Sequence, residues 1–158
     1  MRLLLRKNSH RNVEGTVEIA SSPDTPRRER WQWHLRIPAT SVPPTDPNTT
    51  VARLDRGRGS VSLVAVSVDP TAVTADVSQI AIRESHRIER VEEQLVILVV
   101  GSGAMLAEGR HILNELDALV LAGDDPLDLE LAQLSAEPVS LAVVRLSSVD
   151  ATSVAWVP

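Results

Sequence analysis

The sequence has no cysteine, phenylalanine or tyrosine, and its only aromatic residues are Trp31, Trp33 and Trp156. Without cysteine, the chain can form no disulfide, no thiolate nucleophile and no cysteine-ligated zinc site. Without Phe and Tyr, a core has to come from Val, Leu, Ile and Ala, and β-branched residues favour strands. The 158 residues are enough for one domain, or for two small halves that share a core.

Long apolar runs are missing as well. The longest one, Leu95 to Val100, is far shorter than the ~20 residues of a membrane-spanning helix. At the N-terminus, the apolar row from Leu3 to Leu5 that follows the basic start is too short for a secretory signal. We therefore expect a cytoplasmic protein without a membrane partner.

The net charge of −5 is unevenly distributed along the chain. Residues 1–60 carry eleven basic and six acidic side chains, whereas residues 61–158 carry five basic and fifteen acidic ones. The basic half suggests an anionic partner. However, Arg27, Arg28 and Arg30 lie in a proline-rich turn, and no basic helix follows them. This pattern favours either a solvated, mildly basic surface or a pocket for one small anion over nucleic-acid binding.

Several segments alternate between apolar and polar residues, as half-buried strands do. The clearest is Trp31 to Ile37, where the alternation places His34 and Arg36 together on the face opposite the apolar residues. If that face lined the inside of a barrel, Arg36 would form an anion site; if it faced water, Arg36 would be an ordinary surface residue. Both interpretations stay open. Further strands are predicted at 61–68, 73–82, 127–131 and 139–146, and a loop at 38–47.

Three segments are ambiguous. Residues 110–121 fit either an amphipathic helix or, as we prefer, a turn at 113–115 followed by a strand from Leu116 to Leu121. Residues 83–93 are similarly ambiguous between helix and strand, and their mixed charges are typical of a solvated face. Gly101-Ser102-Gly103 resembles the start of a dinucleotide-binding unit, but the pattern of glycines fails after it, so we predict a hairpin turn.

The histidines His10, His34, His86 and His111 are scattered, and no pair has the spacing that seeds a metal site. No serine, histidine and acid constellation can be found from spacing alone. We therefore expect no catalytic residue, no metal and no cofactor, and we leave the question of an enzyme open while favouring a binding protein.

Three segments in order resemble motifs of the HutD/Ves family: residues 11–19, residues 33–38 and the dipeptide Asp55-Arg56. The chain is short for the family, it lacks a recognisable form of the family's Gly-Pro-Phe-Ser loop segment, and it departs from the family motifs at four positions. Val13 and Glu14 stand where the family has glycines, and Val17 and His34 stand where it has arginines.

This resemblance implies an all-β fold of two double-stranded β-helix (cupin) barrels without metal, packed as one compact unit. Its halves would be residues 1–83 and 84–158. It also implies a pocket in the first half for a small anionic metabolite, such as an amino-acid-derived carboxylate, and hence a binding or regulatory role.

The pocket residues expected from the resemblance have distinct roles. Arg56 or Arg36 would bind the carboxylate, and Asp55 or Glu18 would pair with the arginine when the site is empty. Trp33 would form an apolar wall. The full set of expected ligand-binding residues is Asn12, Thr16, Glu18, Trp33, His34, Arg36, Asp55 and Arg56.

Two other classes of function remain. One is a metal-dependent cupin enzyme, an isomerase, dioxygenase or hydrolase, that gathers His34, His86 or His111 in space. The other is a structural or protein-interaction role, as a homodimer formed through a sheet edge or through the apolar tail 154–157.

Overall fold

The computed structural model describes residues 3–22 and 32–150. Trp31, the arginines at 27–30 and the tail 154–157, which carried sequence predictions, lie outside these ranges. The strands of the described part are, in chain order, β1 Leu3–Leu5, β2 Arg11–Val13, β3 Thr16–Ser21, β4 Trp33–Ile37, β5 Thr49–Asp55, β6 Val61–Val68, β7 Val73–Ile82, β8 Ser85–Glu89, β9 Leu95–Ser102, β10 Met105–Ala107, β11 His111–Leu113, β12 Ala118–Leu121, β13 Asp128–Gln133 and β14 Val139–Ser148.

One short 3₁₀ turn, Lys7–Ser9, accompanies the strands, and the described ranges contain no α-helix. Accordingly, nothing within 3–22 and 32–150 forms a helix of the length and apolarity that crossing a bilayer requires. The all-β prediction is confirmed.

The strands form three antiparallel sheets. The N-terminal sheet has the order β2-β3-β4-β6-β5, the central sheet β1-β12-β9-β14-β7, and the C-terminal sheet β11-β10-β13-β8. One apolar cluster fills the space between the N-terminal and central sheets, and a second fills the space between the central and C-terminal sheets. Among the described strands each sheet has two open edges, so the pairing shows layered sheets and no closed barrel.

The central sheet lies between two apolar clusters, and this position explains the continuous apolar runs in its strands. In β9, Leu95, Ile97 and Val99 belong to the cluster under the N-terminal sheet, whereas Val96 and Leu98 belong to the other cluster. Because both faces of this sheet are covered, the strand needs apolar residues at every position.

The strand β4 shows the alternation predicted from the sequence. Trp33, Leu35 and Ile37 are buried in the first cluster, and His34 and Arg36 lie between them on the outer face. Of the two interpretations of that face, the structure supports the outward one.

The ambiguous segments also fold as strands. The preferred interpretation of residues 110–121 is confirmed, since a turn at 114–117 leads into β12, although the strand begins at Ala118. Residues 83–93 contain the strand β8.

The predicted hairpin at Gly101-Ser102-Gly103 is wrong. The strands on either side, β9 and β10, belong to different sheets and do not pair. The turn carries the chain from the central sheet to the C-terminal sheet, with Gly103 at a positive φ of 83°.

The two halves, 1–83 and 84–158, stay a prediction. Strands β1 and β7 from the first half are hydrogen-bonded into the central sheet beside three strands from the second half.

Candidate functional site

The outer face of the N-terminal sheet holds the first group of expected site residues. Glu18 and Arg36 are opposite each other in the β3 and β4 register. Glu18 Oε1 lies 3.8 Å from His34 Nε2, and the Arg36 guanidinium donates to Ser67 Oγ at 2.6 Å. The charged groups of this face therefore already contact protein partners.

His34 is half-buried on that face. Burial lowers the pKa of His34 below its usual 6.5; the Glu18 carboxylate opposes this shift and the Arg36 guanidinium adds to it. The imidazole is therefore held mainly in its neutral form near neutral pH.

Asn12 and Thr16 lie in the β2 and β3 hairpin. Asn12 Oδ1 accepts a hydrogen bond from the Gly15 backbone N–H at 3.1 Å, which orders the tight turn at Glu14 and Gly15, both at positive φ. Trp33, the expected apolar wall, is fully buried in the core, so it presents no surface to a ligand.

Arg56 lies at the opposite end of the N-terminal sheet, just after β5. Its Nε donates to the Gly101 carbonyl at 3.1 Å, and its guanidinium forms an ion pair with Glu115. Glu115, rather than Asp55 or Glu18, is thus the partner of this arginine. The β6 partners of Arg36 and Asp55, Ala65 and Val61, are four positions apart, which corresponds to about 13 Å along the strand. The expected residues therefore divide into two groups rather than forming one site.

Arg56 marks the open end of the layer between the N-terminal and central sheets. The apolar cluster that packs against the central sheet ends here. Beyond it, the central sheet carries polar residues, namely Gln79 on β7, Ser140 on β14 and Ser102 on β9. Ser140 is the register partner of Ala81 on one side and of Ser102 on the other. These residues form a polar floor.

A cleft of about 700 Å³ lies over this floor, and we call it the hairpin cleft. One wall is the β5 and β6 hairpin, and the other is formed by Arg83, Glu137 and Pro138. Its lining residues are Asp55, Gly57, Arg58, Gly59, Val61, Gln79, Ala81, Arg83, Ser102, Glu137, Pro138 and Ser140.

The tip of the hairpin positions Arg58 over the cleft. Gly57, Arg58 and Gly59 all have positive φ, at 76°, 52° and 74°. The turn is closed by a hydrogen bond from the Ser60 N–H to the Gly57 carbonyl and by one from the Gly57 N–H to Asp55 Oδ1. Glycines on both sides allow this backbone, which residues with a Cβ rarely adopt.

Arg58 and Arg83 are both exposed in this cleft. Within residues 3–22 and 32–150, neither guanidinium forms a hydrogen bond or an ion pair. Arg36 and Arg56, in contrast, both donate to acceptors among the described residues.

A second cleft of about 580 Å³ adjoins the first and shares Arg58, Ser102 and Glu137 with it. Glu115 separates this cleft from a third one of about 550 Å³ beside Lys7. The turn that carries Glu115 is fixed by Asp117. Burial by itself raises the pKa of Asp117, but hydrogen bonds from the backbone N–H groups of Asn114 and Lys7 and from Arg6 hold it below its usual value.

The histidines proposed for a metal enzyme are not gathered. His34 is in the N-terminal sheet, while His86 and His111 are in the two edge strands of the C-terminal sheet. His10 contacts the Leu116 carbonyl through Nε2 at 2.6 Å. No group of three potential ligands from His, Asp or Glu occurs within the part of the chain that the structure describes.

Sequence reasoning missed Arg58, Arg83 and the polar floor. The turn signal Gly57-Arg58-Gly59 was present, and an arginine between two turn glycines is a side chain held at a loop tip. The floor had no such signal, because Ser102 and Ser140 are 38 residues apart and meet only through strand pairing.

No protein-family model matches the sequence, and no curated protein matches it either. Solved structures do match. A conserved protein of unknown function from Pseudomonas aeruginosa PAO1, PA5104, has a TM-score of 0.67 at 17% identity over 94% of this chain and 100% of its own. HutD from Pseudomonas fluorescens SBW25 has a TM-score of 0.58 at 14% identity over 94% of this chain and 99% of its own.

The chain has the HutD fold. The resemblance to the HutD/Ves family predicted from residues 11–19, 33–38 and 55–56 is thus confirmed as a likeness of fold over nearly the whole chain. In this chain, the hairpin cleft lies at the open end of the layer between the N-terminal and central sheets.

Proposed function

We propose that this protein is a non-enzymatic binding or regulatory protein whose hairpin cleft binds a small metabolite carrying a carboxylate. The observation that carries the proposal is the presence of Arg58 and Arg83 in one 700 Å³ cleft without partners among the described residues. A guanidinium binds a carboxylate through two parallel hydrogen bonds, which neutral donors cannot match.

The polar floor supports the same proposal. Gln79 Nε2 donates to Ser140 Oγ at 3.4 Å, a weak contact that a ligand can replace. Together with Ser102, these groups offer neutral donors and acceptors beneath the arginines.

Arg56 has a positioning role in this proposal. Its contacts to the Gly101 carbonyl and to Glu115 join the hairpin to β9 and to the 114–117 turn. It therefore fixes the wall from which Arg58 extends, and its replacement by Leu would lower stability as well as ligand affinity.

A thermal-shift screen with amino-acid-derived carboxylates, run with and without EDTA, tests the proposal. A ligand at 100 times its dissociation constant adds ~2.7 kcal/mol, which raises the melting temperature of a domain of this size by roughly 5–10 °C. The variant Arg58→Asn should abolish the shift, and asparagine tolerates the positive φ of that position.

The matched control is Arg53→Gln. Arg53 is an exposed arginine on β5, the strand that leads into the hairpin, and it does not line the cleft, so this variant should keep the full shift. The proposal is wrong if no carboxylate raises the melting temperature, or if Arg53→Gln weakens binding as much as Arg58→Asn does.

A further inference from the structure

The hairpin cleft carries charges of both signs. Arg58 and Arg83 supply two cations, and Asp55 and Glu137 supply two carboxylates. A site for a simple dicarboxylate would need only the cations, because every lining carboxylate repels such a ligand. The presence of both charges in the lining therefore disfavours a simple dicarboxylate as the ligand.

The opposite charges in this cleft do not neutralise each other. Within the described ranges, no ion pair joins Arg58 or Arg83 to Asp55 or Glu137, although short ion pairs do form elsewhere, such as Arg87 with Asp128 at 2.9 Å. The four charged groups thus line the same space without forming ion pairs with one another.

The anionic side of the cleft is also available to a ligand. The carboxylate of Glu137 has no partner among the described residues, because the hydrogen bonds at this residue go to its backbone carbonyl. Asp55 Oδ1 accepts a hydrogen bond from the Gly57 N–H, and no described group forms a hydrogen bond or an ion pair with Oδ2. Both residues can accept a hydrogen bond from an ammonium group.

We infer that the ligand of the hairpin cleft is a zwitterion, an amino acid with a free ammonium group, rather than a plain carboxylate. Arg58 and Arg83 bind its carboxylate or carboxylates, and Glu137, assisted by Asp55, binds its ammonium. The inference rests on the proposed function, since it assigns the ligand class of the same cleft.

Isothermal titration with L-glutamate and glutarate tests the inference. The two probes have the same carbon chain and the same two carboxylates, and only L-glutamate carries the ammonium. We expect L-glutamate to bind at least about tenfold more tightly than glutarate, the effect of one charge-assisted hydrogen bond. The variant Glu137→Gln should remove most of this difference and leave glutarate binding unchanged or tighter.

The control is Glu93→Gln, which neutralises an exposed carboxylate outside the cleft and should preserve the preference. If glutarate binds as tightly as L-glutamate or more tightly, and this binding is lost in Arg58→Asn, the ligand is not a zwitterion. The proposed function as a carboxylate-binding protein would then still hold. If neither probe nor any other carboxylate binds in an Arg58-dependent way up to about 10 mM, both proposals fail.

Discussion

Arg90 is a buried cation whose partners are backbone carbonyls. Its guanidinium donates to the carbonyls of Glu92 and Gln94 at 3.0 Å each and to that of Gly123 at 2.9 Å, while Nε has no partner within the described residues. The side chain thereby ties the loop after β8 to the turn after β12.

Replacing Arg90 with Met should destabilise the protein by about 3–5 kcal/mol, because several carbonyls, the buried one of Asp125 among them, lose the guanidinium that donates to them. Urea unfolding measures this loss. The control Arg87→Met removes an exposed arginine, 65% accessible, and should change the free energy of unfolding by no more than about 0.5 kcal/mol. A similar small change in both variants would contradict the role of Arg90.

His34 links pH to stability. Since burial lowers its pKa in the folded state below 6.5, the unfolded chain binds the proton more tightly. The stability contribution of neutral His34 is therefore fully present above pH 6.5 and is lost as the pH falls through the folded pKa. Proton NMR titration should give a pKa below 6.5, and His34→Gln should flatten the pH dependence of the melting temperature in that window. A folded-state pKa above 6.5 would contradict this.

The arginines show which features of individual side chains could be predicted from the sequence and which could not. Arg36, Arg56 and Arg58 are chemically identical, and only Arg36 could be placed on a face, because β4 alternates strictly. The partner of Arg56 is 59 residues away in the 114–117 turn, and nothing near Arg56 in sequence indicates it.

Gly101 shows how closely the central sheet approaches β5. A Cβ at this position would lie 2.4 Å from the Asp55 carbonyl oxygen and 2.6 Å from Leu54 Cδ1. Such contacts cannot be relieved without moving the backbone of β5, and the same approach brings the Gly101 carbonyl within reach of Arg56.

Gly101→Ala should therefore cost about 3 kcal/mol or more and should also weaken carboxylate binding, because the hairpin wall has to move. Gly109→Ala is the comparison. Its position at φ +66° has nothing within 4 Å of an added Cβ, so only the left-handed backbone penalty of about 1–2 kcal/mol applies. Equal costs for the two variants, measured by urea unfolding, would contradict the close approach.

Strand positions were predictable where one face is buried, and strand partners were not. The alternation in β4 and β7 gave their positions, whereas the apolar run of β9 has no alternation, because both of its faces are covered. The turn at 101–103 was predicted as a hairpin because local sequence shows that the chain turns, but not which sheet receives the next strand.

At the scale of the whole molecule, three stacked sheets leave the end of one layer open beside the β5 and β6 hairpin. The resemblance to the HutD/Ves family predicted the fold from three short motifs. It placed the ligand near Asp55 and Arg56, which border the hairpin cleft or its neighbour, and also near Arg36, which lies on a different face. The cations proposed to bind the ligand, Arg58 and Arg83, come together only in the assembled layers.

Crystal structures of the protein soaked with L-glutamate and, separately, with glutarate test the binding site most directly. We expect density for a bound carboxylate in the hairpin cleft, with oxygens about 2.7–3.2 Å from the guanidinium nitrogens of Arg58 or Arg83. Density at Arg36 on the outer face of the N-terminal sheet, with the hairpin cleft empty, would contradict the proposed site.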